Sequence, residues 1–403
     1  MTSHRGSESN GRLSVVYSFP HAIGAPGIGW TAWNQVTELV AAGHDVHLVT
    51  ASVARGIPGL ASLRTPLQLA GRRVPHRAIG RDRAFGLHDR AAAAAVRRIR
   101  PDVVHTWPLA ARRSLAAAAQ VDAAGLREAP NTHTGHAYQV VAEECALLGV
   151  ELPPTASHAA NAAHLAIERQ EWAAATAVLA PSTAVERSFV ERGHDPRRIV
   201  RHRYGARLED IPVRTRRADA PPTVLFLGRI EPRKGLHYAL RAWAGSRLAV
   251  GGRLLVHGEA IPGYAAVLAP LLSQPGVELR GFTSDPGAVL AAADALVLPT
   301  IEEGSALVTY EAQLAGCVPL VSTAAGAYLE HGVHGLLHEP RDVDALRAHL
   351  DLLADDPASF ARMSEAAAAR SAELGWAAAG AALVGAYREA LERRWEVTHA
   401  LAE

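Results

Sequence analysis

The sequence predicts an α/β protein built as two doubly wound domains, each a parallel sheet with helices on both faces. Three observations point there. At 403 residues the chain is long for one core and fits two of ordinary size. Strand–loop–helix units recur in both halves, first over residues 13–42 and again from residue 223 onward. Between the halves, residues 215–222 read T-R-R-A-D-A-P-P, a polar and proline-ended stretch that reads as a linker.

Composition narrows the class. Hydrophobic residues make up 49% and charged residues 20%, which suits a soluble globular chain. The net charge of +1 gives no global field to draw nucleic acid. Cys145 and Cys317 are far apart and lack metal-ligand spacing, so a reducing cytoplasm is the expected compartment. No apolar run approaches the roughly 20 residues of a membrane span. Residues 1–11 are polar, lack a signal-peptide core and are expected to be a disordered tail.

The first unit is a strand at 13–19, a loop containing Gly27 and Gly29, and a helix predicted over 31–42. The glycine spacing is not G-x-G-x-x-G, and no acidic ribose partner follows the next strand, which disfavours a dinucleotide site. His44 reads as structural. Over residues 71–113 the chain turns basic: eleven arginines, among them Arg72, Arg73, Arg77, Arg81, Arg83 and Arg90, face Asp82, Asp89 and Asp102. Such a stretch is a solvated face, or a surface for an anionic acceptor or an anionic membrane. A strand over 101–108 carries His105 and Trp107, and His133 and His136 follow in a polar loop. Helices are expected over 158–176 and 182–192, and a last strand over 199–204.

The second half opens with a strand at 224–227 that runs into Gly228, Arg229, Lys234 and Gly235. Further strands are read at 254–258 and 277–282. Residues 295–298 make a short apolar strand, 307–315 a helix and 318–321 another strand, so the loop at 301–305 joins a strand's carboxyl end to a helix's amino end. Open α/β sheets bind ligands there. Helix N–H groups and the dipole favour a phosphate, and Gly304, Ser305 and Ala306 are small enough to admit one. Glu303 and Glu311 flank that point. A carboxylate repels phosphate, so each is expected to accept from neutral hydroxyls on either side of it. Helices are predicted over 342–353 and 357–374, and a long amphipathic one over 376–395.

Glu303 to Val321, E-G-S-A-L-V-T-Y-E-A-Q-L-A-G-C-V-P-L-V, together with the G-R-I-E-P-R-K-G run that contains Arg229 and Lys234, resembles the retaining GT-B glycosyltransferases with the Glu-x7-Glu signature, the group 1, family 4 type. The resemblance implies a cleft between two Rossmann-like domains and a last helix that crosses back onto the first. It implies an acceptor-side domain of residues 12–208 plus 376–403, and a nucleotide-sugar domain of 223–375. It places Arg229 and Lys234 on the donor diphosphate, Glu303 on the sugar and Glu311 on the ribose. Gly27 and Gly29 would lie near the donor phosphate, with Gly304, Ser305, Ala306, Leu307 and Val308 forming the phosphate cradle and Phe282 near the base. A histidine at the reaction centre is expected: His133 first, then His136 and His105, and the residues leave the choice open.

The activity so implied is transfer of a sugar from a nucleotide-diphosphate sugar to an acceptor hydroxyl with retention. No cofactor or metal is called for, since no Asp-x-Asp motif stands in a suitable loop. The alternatives are a nucleotide-sugar epimerase of related architecture and a non-catalytic nucleotide-sugar or glycan binder. The expected location is cytoplasmic, with peripheral contact at the inner membrane face through the basic region. Donor base, donor sugar and acceptor are not legible.

Overall fold

The computed structural model describes residues 11–69, 72–73, 79–207, 209, 211–212 and 220–400. Residues 1–10 of the tail predicted over 1–11, Arg77 and the linker residues 215–219 lie outside them.

The first half runs β1 (Ser14–Ile23), α1 (Ile28–Ala41), β2 (Asp45–Val53), β3 (Ser62–Arg64), a short β4–β5 pair (Gln68–Leu69, Arg72–Arg73), α2 (Arg81–Ile99), β6 (Val103–Thr106) and α3 (Arg112–Gln120). It continues with β7 (Ala124–Glu128), α4 (Thr134–Leu148), α5 (Ala162–Ala174), β8 (Ala177–Ala180), α6 (Thr183–Val190) and β9 (Ile199–Arg201). Seven strands form a parallel sheet in the order β3-β2-β1-β6-β7-β8-β9. Both faces of that sheet are covered, so alternate residues of β1 serve two cores. Val15, Tyr17 and Phe19 join one cluster and Val16 joins the other.

The second half runs β10 (Thr223–Leu227), α7 (Leu236–Ala244), β11 (Arg253–His257), α8 (Pro262–Leu272), β12 (Val277–Gly281), α9 (Pro286–Ala291), β13 (Ala295–Leu298), α10 (Leu307–Leu314), β14 (Val318–Ser322) and β15 (Leu336–His338). Its six parallel strands lie in the order β12-β11-β10-β13-β14-β15. Val224 and Phe226 pack on one face, Leu225 on the other. Helices α11 (Val343–Asp355), α12 (Pro357–Ala369), α13 (Ser371–Leu374) and α14 (Trp376–Ala400) complete the chain.

The last helix returns to the first half, as expected. Leu383, Val384, Ala386, Tyr387 and Ala390 of α14 share a core with Val15, Tyr17, Val36 and Leu39. His105 meets the Tyr387 hydroxyl at 2.7 Å.

Three local expectations shift. The strand predicted over 199–204 stops at Arg201, because His202 and Tyr204 turn to a buried carboxylate, Glu128, at 3.0 and 2.8 Å. The helix predicted from residue 158 starts at Ala162, capped by Asn161, whose side chain accepts from His164 N at 3.0 Å. Residue 158 belongs to the loop before it. Helix α4, not anticipated, begins directly after His133.

Candidate active site

The site forms where β10 and β13 lie side by side, at the point where strand order reverses. Beyond β10, Gly228 to Gly235 loop over the strand ends, with a 3-10 turn at Pro232–Lys234. Beyond β13, Pro299 to Ala306 lead into α10. The two loops touch closely: a Cβ on Gly235, whose φ is 69°, would lie 2.1 Å from the Pro299 carbonyl oxygen. Adjacent strands therefore bring together residues far apart in sequence.

Lys234 and Glu303 form a direct ion pair, with side chains 15% and 13% exposed. Arg233, buried, holds the same carboxylate at 3.0 Å. Its guanidinium also contacts Glu231 at 3.0 Å and the Glu302 carbonyl oxygen at 2.9 Å. Arg229 stands outside this knot, 59% exposed, with Nε 3.7 Å from Glu231. Burial works against the charge on Arg233, but Glu303, Glu302 and Glu231 keep it protonated. Burial likewise opposes ionisation of Glu303, and Arg233 and Lys234 outweigh it, pulling its pKa below the usual carboxylate range.

Glu302, fully buried, lies 3.4 Å from the same Arg233 Nη1 and joins the two halves. It accepts from the Thr132 hydroxyl at 2.6 Å and from Thr132 N at 3.2 Å, and pairs with His158 Nε2 at 3.2 Å. Burial opposes its charge; the His158 hydrogen bond and Arg233 overcome that and push its pKa well down. A Cβ at Gly304 would fall 1.8 Å from the Pro130 carbonyl oxygen, so this residue must lack a side chain for the halves to meet. A second bridge is made by Glu144 of α4, which accepts from Tyr238 at 2.6 Å and from Arg341 at 2.8 Å and lies 2.9 Å from His237 Nε2.

Helix α10 starts at Leu307, after Ala306, which offers no side-chain cap. Thr309 N–H bonds the Ala306 carbonyl oxygen at 2.9 Å and Ala306 N–H bonds the Ala325 carbonyl oxygen at 3.0 Å, so Leu307 and Val308 carry the first-turn N–H groups that an anion could take. Beside that turn is a cavity of about 180 Å3 between the halves, lined by Trp30, Arg207, Gly287, Leu307, Glu311 and Trp376 among others.

Two family models match: Glycosyltransferase Family 4 over residues 26–209, and glycosyl transferases group 1 over residues 221–356. The chain belongs to the group 1, family 4 glycosyltransferases. Enzymes of this family have the GT-B fold, use nucleotide-sugar donors and retain the anomeric configuration. A D-inositol 3-phosphate glycosyltransferase of Thermobispora bispora is 36% identical to it over 188 residues, 42% of this chain and 44% of that protein. The Mycobacterium marinum protein of the same description is 35% identical over 182 residues, 42% of this chain and 38% of the other. These matches span less than half the length of the curated relatives. Among solved structures, sucrose-phosphate synthase of Thermosynechococcus elongatus superposes with a TM-score of 0.67 at 20% identity, over 94% of this chain and 99% of the other. Anabaena HepE in complex with UDP gives 0.61 at 16% identity, over 96% and 99%. At such identities these two structures establish the shared fold.

In this glycosyltransferase, Arg229 and Lys234 lie in the loop after β10, Glu303 to Ala306 in the loop after β13, and Leu307 and Val308 open α10, with Glu311 lining the cavity beside that turn. Gly27, with φ 78°, is the residue before α1 and Gly29 sits in its first turn; a Cβ on Gly29 would lie 2.5 Å from the Ala22 carbonyl oxygen. Both neighbour Trp30 at the cavity. Phe282 follows the edge strand β12 and is 73% exposed; on that side the cavity wall comes from Pro286 and Gly287.

The three histidines separate clearly. His133 is buried at the start of α4, its ring 4.5 Å from Trp172, 5.2 Å from Phe189 and 5.4 Å from His194. Burial, with His194 and Arg192 next, lowers its pKa to about 4. His105 is enclosed with Tyr17, Tyr387 and Glu128. His136, in the first turn of α4, is half-buried, and burial lowers its pKa, with the Glu302 charge opposing.

Sequence reasoning did not assign Glu302, Thr132 or His158, and left Arg233 open. The doubled glutamate at 302 and 303 was the available signal, but spacing alone could not show that Glu302 meets Thr132 and His158 while Glu303 meets Lys234.

Among the described residues no group of three or more His, Cys, Asp or Glu could hold a metal ion. Nor is any helix long and apolar enough to cross a membrane.

Proposed function

We propose that this glycosyltransferase moves a sugar from a nucleoside diphosphate sugar to an acceptor hydroxyl, with retention and without a metal ion. The observation that carries the reading is the Lys234–Glu303 pair, backed by Arg233 and flanked by Arg229, at adjacent strand ends beside the open first turn of α10. Residues 223–375 are taken as the donor side, and residues 12–208 with 376–403 as the acceptor side.

The donor pyrophosphate sits against Arg229, Lys234 and the N–H groups of Ser305, Leu307 and Val308. Glu311 takes the ribose hydroxyls in the cavity lined by Trp30 and Leu307. Glu303, kept ionised by Arg233, accepts from sugar hydroxyls. When the anomeric C–O bond breaks, its electron pair leaves with the nucleoside diphosphate. The growing negative charge strengthens the hydrogen bonds from Arg229 and Lys234, which is what lowers the barrier. The acceptor oxygen bonds the anomeric carbon on the same face, and its proton passes to the departing phosphate oxygen. A charge-assisted bond contributes roughly 1.5–3 kcal/mol net, so two cations supply on the order of two to four decades of rate. His136, rather than His133, takes the cleft-facing role. The arginines of α2, with Asp89 turned inward onto the start of α3 at 2.8 and 2.9 Å, form a positive surface for an anionic acceptor or membrane.

A thermal-shift panel of UDP, GDP, ADP and dTDP sugars tests the donor class. A true donor at 100 times its Kd stabilises by about 2.7 kcal/mol, and the shift disappears in Lys234→Ala. No shift with any of the four, or an undiminished shift in Lys234→Ala, overturns the reading.

A further inference from the structure

A second cavity, about 400 Å3, lies between the halves on the far side of the α10 entry loop. The first half contributes Ser182, Arg201 and Arg203 to its wall, and the second contributes Tyr310, Gly326 and Tyr328. Arg201 is balanced by Glu186 at 2.9 Å. Arg203 is not: among the described residues no carboxylate pairs with it. Its guanidinium carbon is 4.7 Å from the Tyr328 ring centroid, Nη1 donates to the Tyr328 hydroxyl at 3.2 Å, and its buried Nε has no hydrogen-bond partner. A third cation, Arg370, stands 4.5 Å from the same ring, with Glu373 3.4 Å from its Nε. Two guanidiniums thus flank one tyrosine, and of the two arginines in the cavity wall Arg203 is the one without a carboxylate partner among the described residues.

We infer that this cavity binds a small phosphate monoester, gripped by the Arg203 guanidinium, at a site separate from the donor cleft. A planar fork of N–H donors fits phosphate oxygens two at a time. A half-buried guanidinium with no carboxylate partner gains more from an anion than an exposed one, because part of its desolvation has already occurred. The wall of this cavity is also the support of the donor loop. Ser182 Oγ donates to the Gly304 carbonyl oxygen, and Ser305 Oγ lies 3.1 Å from the Tyr310 hydroxyl and donates to the Gly326 carbonyl oxygen at 3.2 Å. A ligand that bridges Arg203 to the Tyr328 side therefore steadies the residues just after Glu303, and its binding and donor binding favour each other. The site stands without the proposed transfer reaction, since neither Arg203 nor Tyr328 takes part in that chemistry.

The probe is glycerol 3-phosphate, with glycerol and inorganic phosphate as comparisons, at constant ionic strength on the full chain. Titration calorimetry is expected to show binding to wild type and to Lys234→Ala with affinities within about twofold. Arg203→Met is expected to weaken it by roughly tenfold or more, and Arg203→Lys, which keeps charge without the fork, by several-fold. UDP binding by Arg203→Met, measured without phosphate, is expected to stay within about twofold of wild type. With glycerol 3-phosphate present, UDP is expected to bind wild type more tightly. Equal binding of inorganic phosphate identifies the phosphoryl group as sufficient; loss of the organic part's contribution leaves the site assignment intact. No binding to wild type, binding unchanged in both Arg203 variants, or binding abolished by Lys234→Ala, overturns the inference, the last by placing the phosphate in the donor cleft. If Arg203→Met does not fold, the Arg203→Lys measurement decides.

Discussion

The Lys234 amine is bonded to the Glu303 carboxylate across 69 residues of sequence. Each group ends the loop after one of two neighbouring parallel strands, so the pair is a direct product of β10 lying against β13. A donor diphosphate must draw Lys234 away, and Glu303 then remains held by Arg233. From this exchange, Lys234→Ala is expected to lower kcat by roughly 100-fold to 1,000-fold, the range for removal of one preorganised donor to a developing charge. Glu303→Gln is expected to lower kcat with a smaller effect on nucleotide affinity. Steady-state kinetics alongside UDP titration separates the two. Wild-type turnover in both variants defeats the assignment.

Arg233 is predicted to be a positioning residue. It holds Glu303 at 3.0 Å and lies between that carboxylate and Glu302. Without it, two neighbouring carboxylates repel, and one regains a proton more easily. In Arg233→Met the acid limb of the pH–activity profile should move to higher pH, because protonated Glu303 no longer accepts from the sugar. A purely structural role would reduce activity without moving that limb.

The bridge at Glu144 makes acid stability pH-dependent. Burial opposes its charge, but hydrogen bonds from His237, Tyr238 and Arg341 hold its pKa down to about 2, from a reference of 4.5. A depressed carboxylate pKa adds stability above its unfolded value, which is lost as pH falls toward the folded one. Glu144→Gln should therefore cost about 1.5–3 kcal/mol near neutral pH and progressively less between pH 4.5 and about 2. Denaturant titrations at several pH values measure this. A constant penalty across that window contradicts the mechanism.

The arginine face of α2 is expected to bind vesicles rich in anionic lipid at low salt and to release them as salt rises. Charge reversal of Arg83 and Arg90 together, both exposed, should abolish co-sedimentation and leave UDP binding intact. Failure to bind at low salt removes the membrane role.

Much of the architecture could be read before any coordinates. The strand beginnings and the helix at 307–314 follow from short apolar runs bounded by Gly and Pro and from amphipathic spacing, and the return of α14 was implied by the family resemblance. Helix α4 had a readable signal too: its buried Ala137, Val141, Glu144 and Cys145 recur at helical spacing. It was obscured by a polar residue at a core position, whose use becomes clear only when Tyr238 and Arg341 are seen opposite it. The histidines were undecidable for a similar reason. Nothing local distinguishes His133, enclosed by aromatic rings, from His136, which stays half-buried.

From the residues in order came the pairing of parallel sheets, the basic residues at 229 and 234, the flanking glutamates and the small residues before α10, because periodicity, caps and loop chemistry are local properties. The direction of Glu302 toward Thr132 and His158, the burial of Arg233 between carboxylates, and the unpaired Arg203 in its cavity depended on the packing of one half against the other. Such contacts join positions up to 170 residues apart, and a chain read linearly has no term for the distance between them.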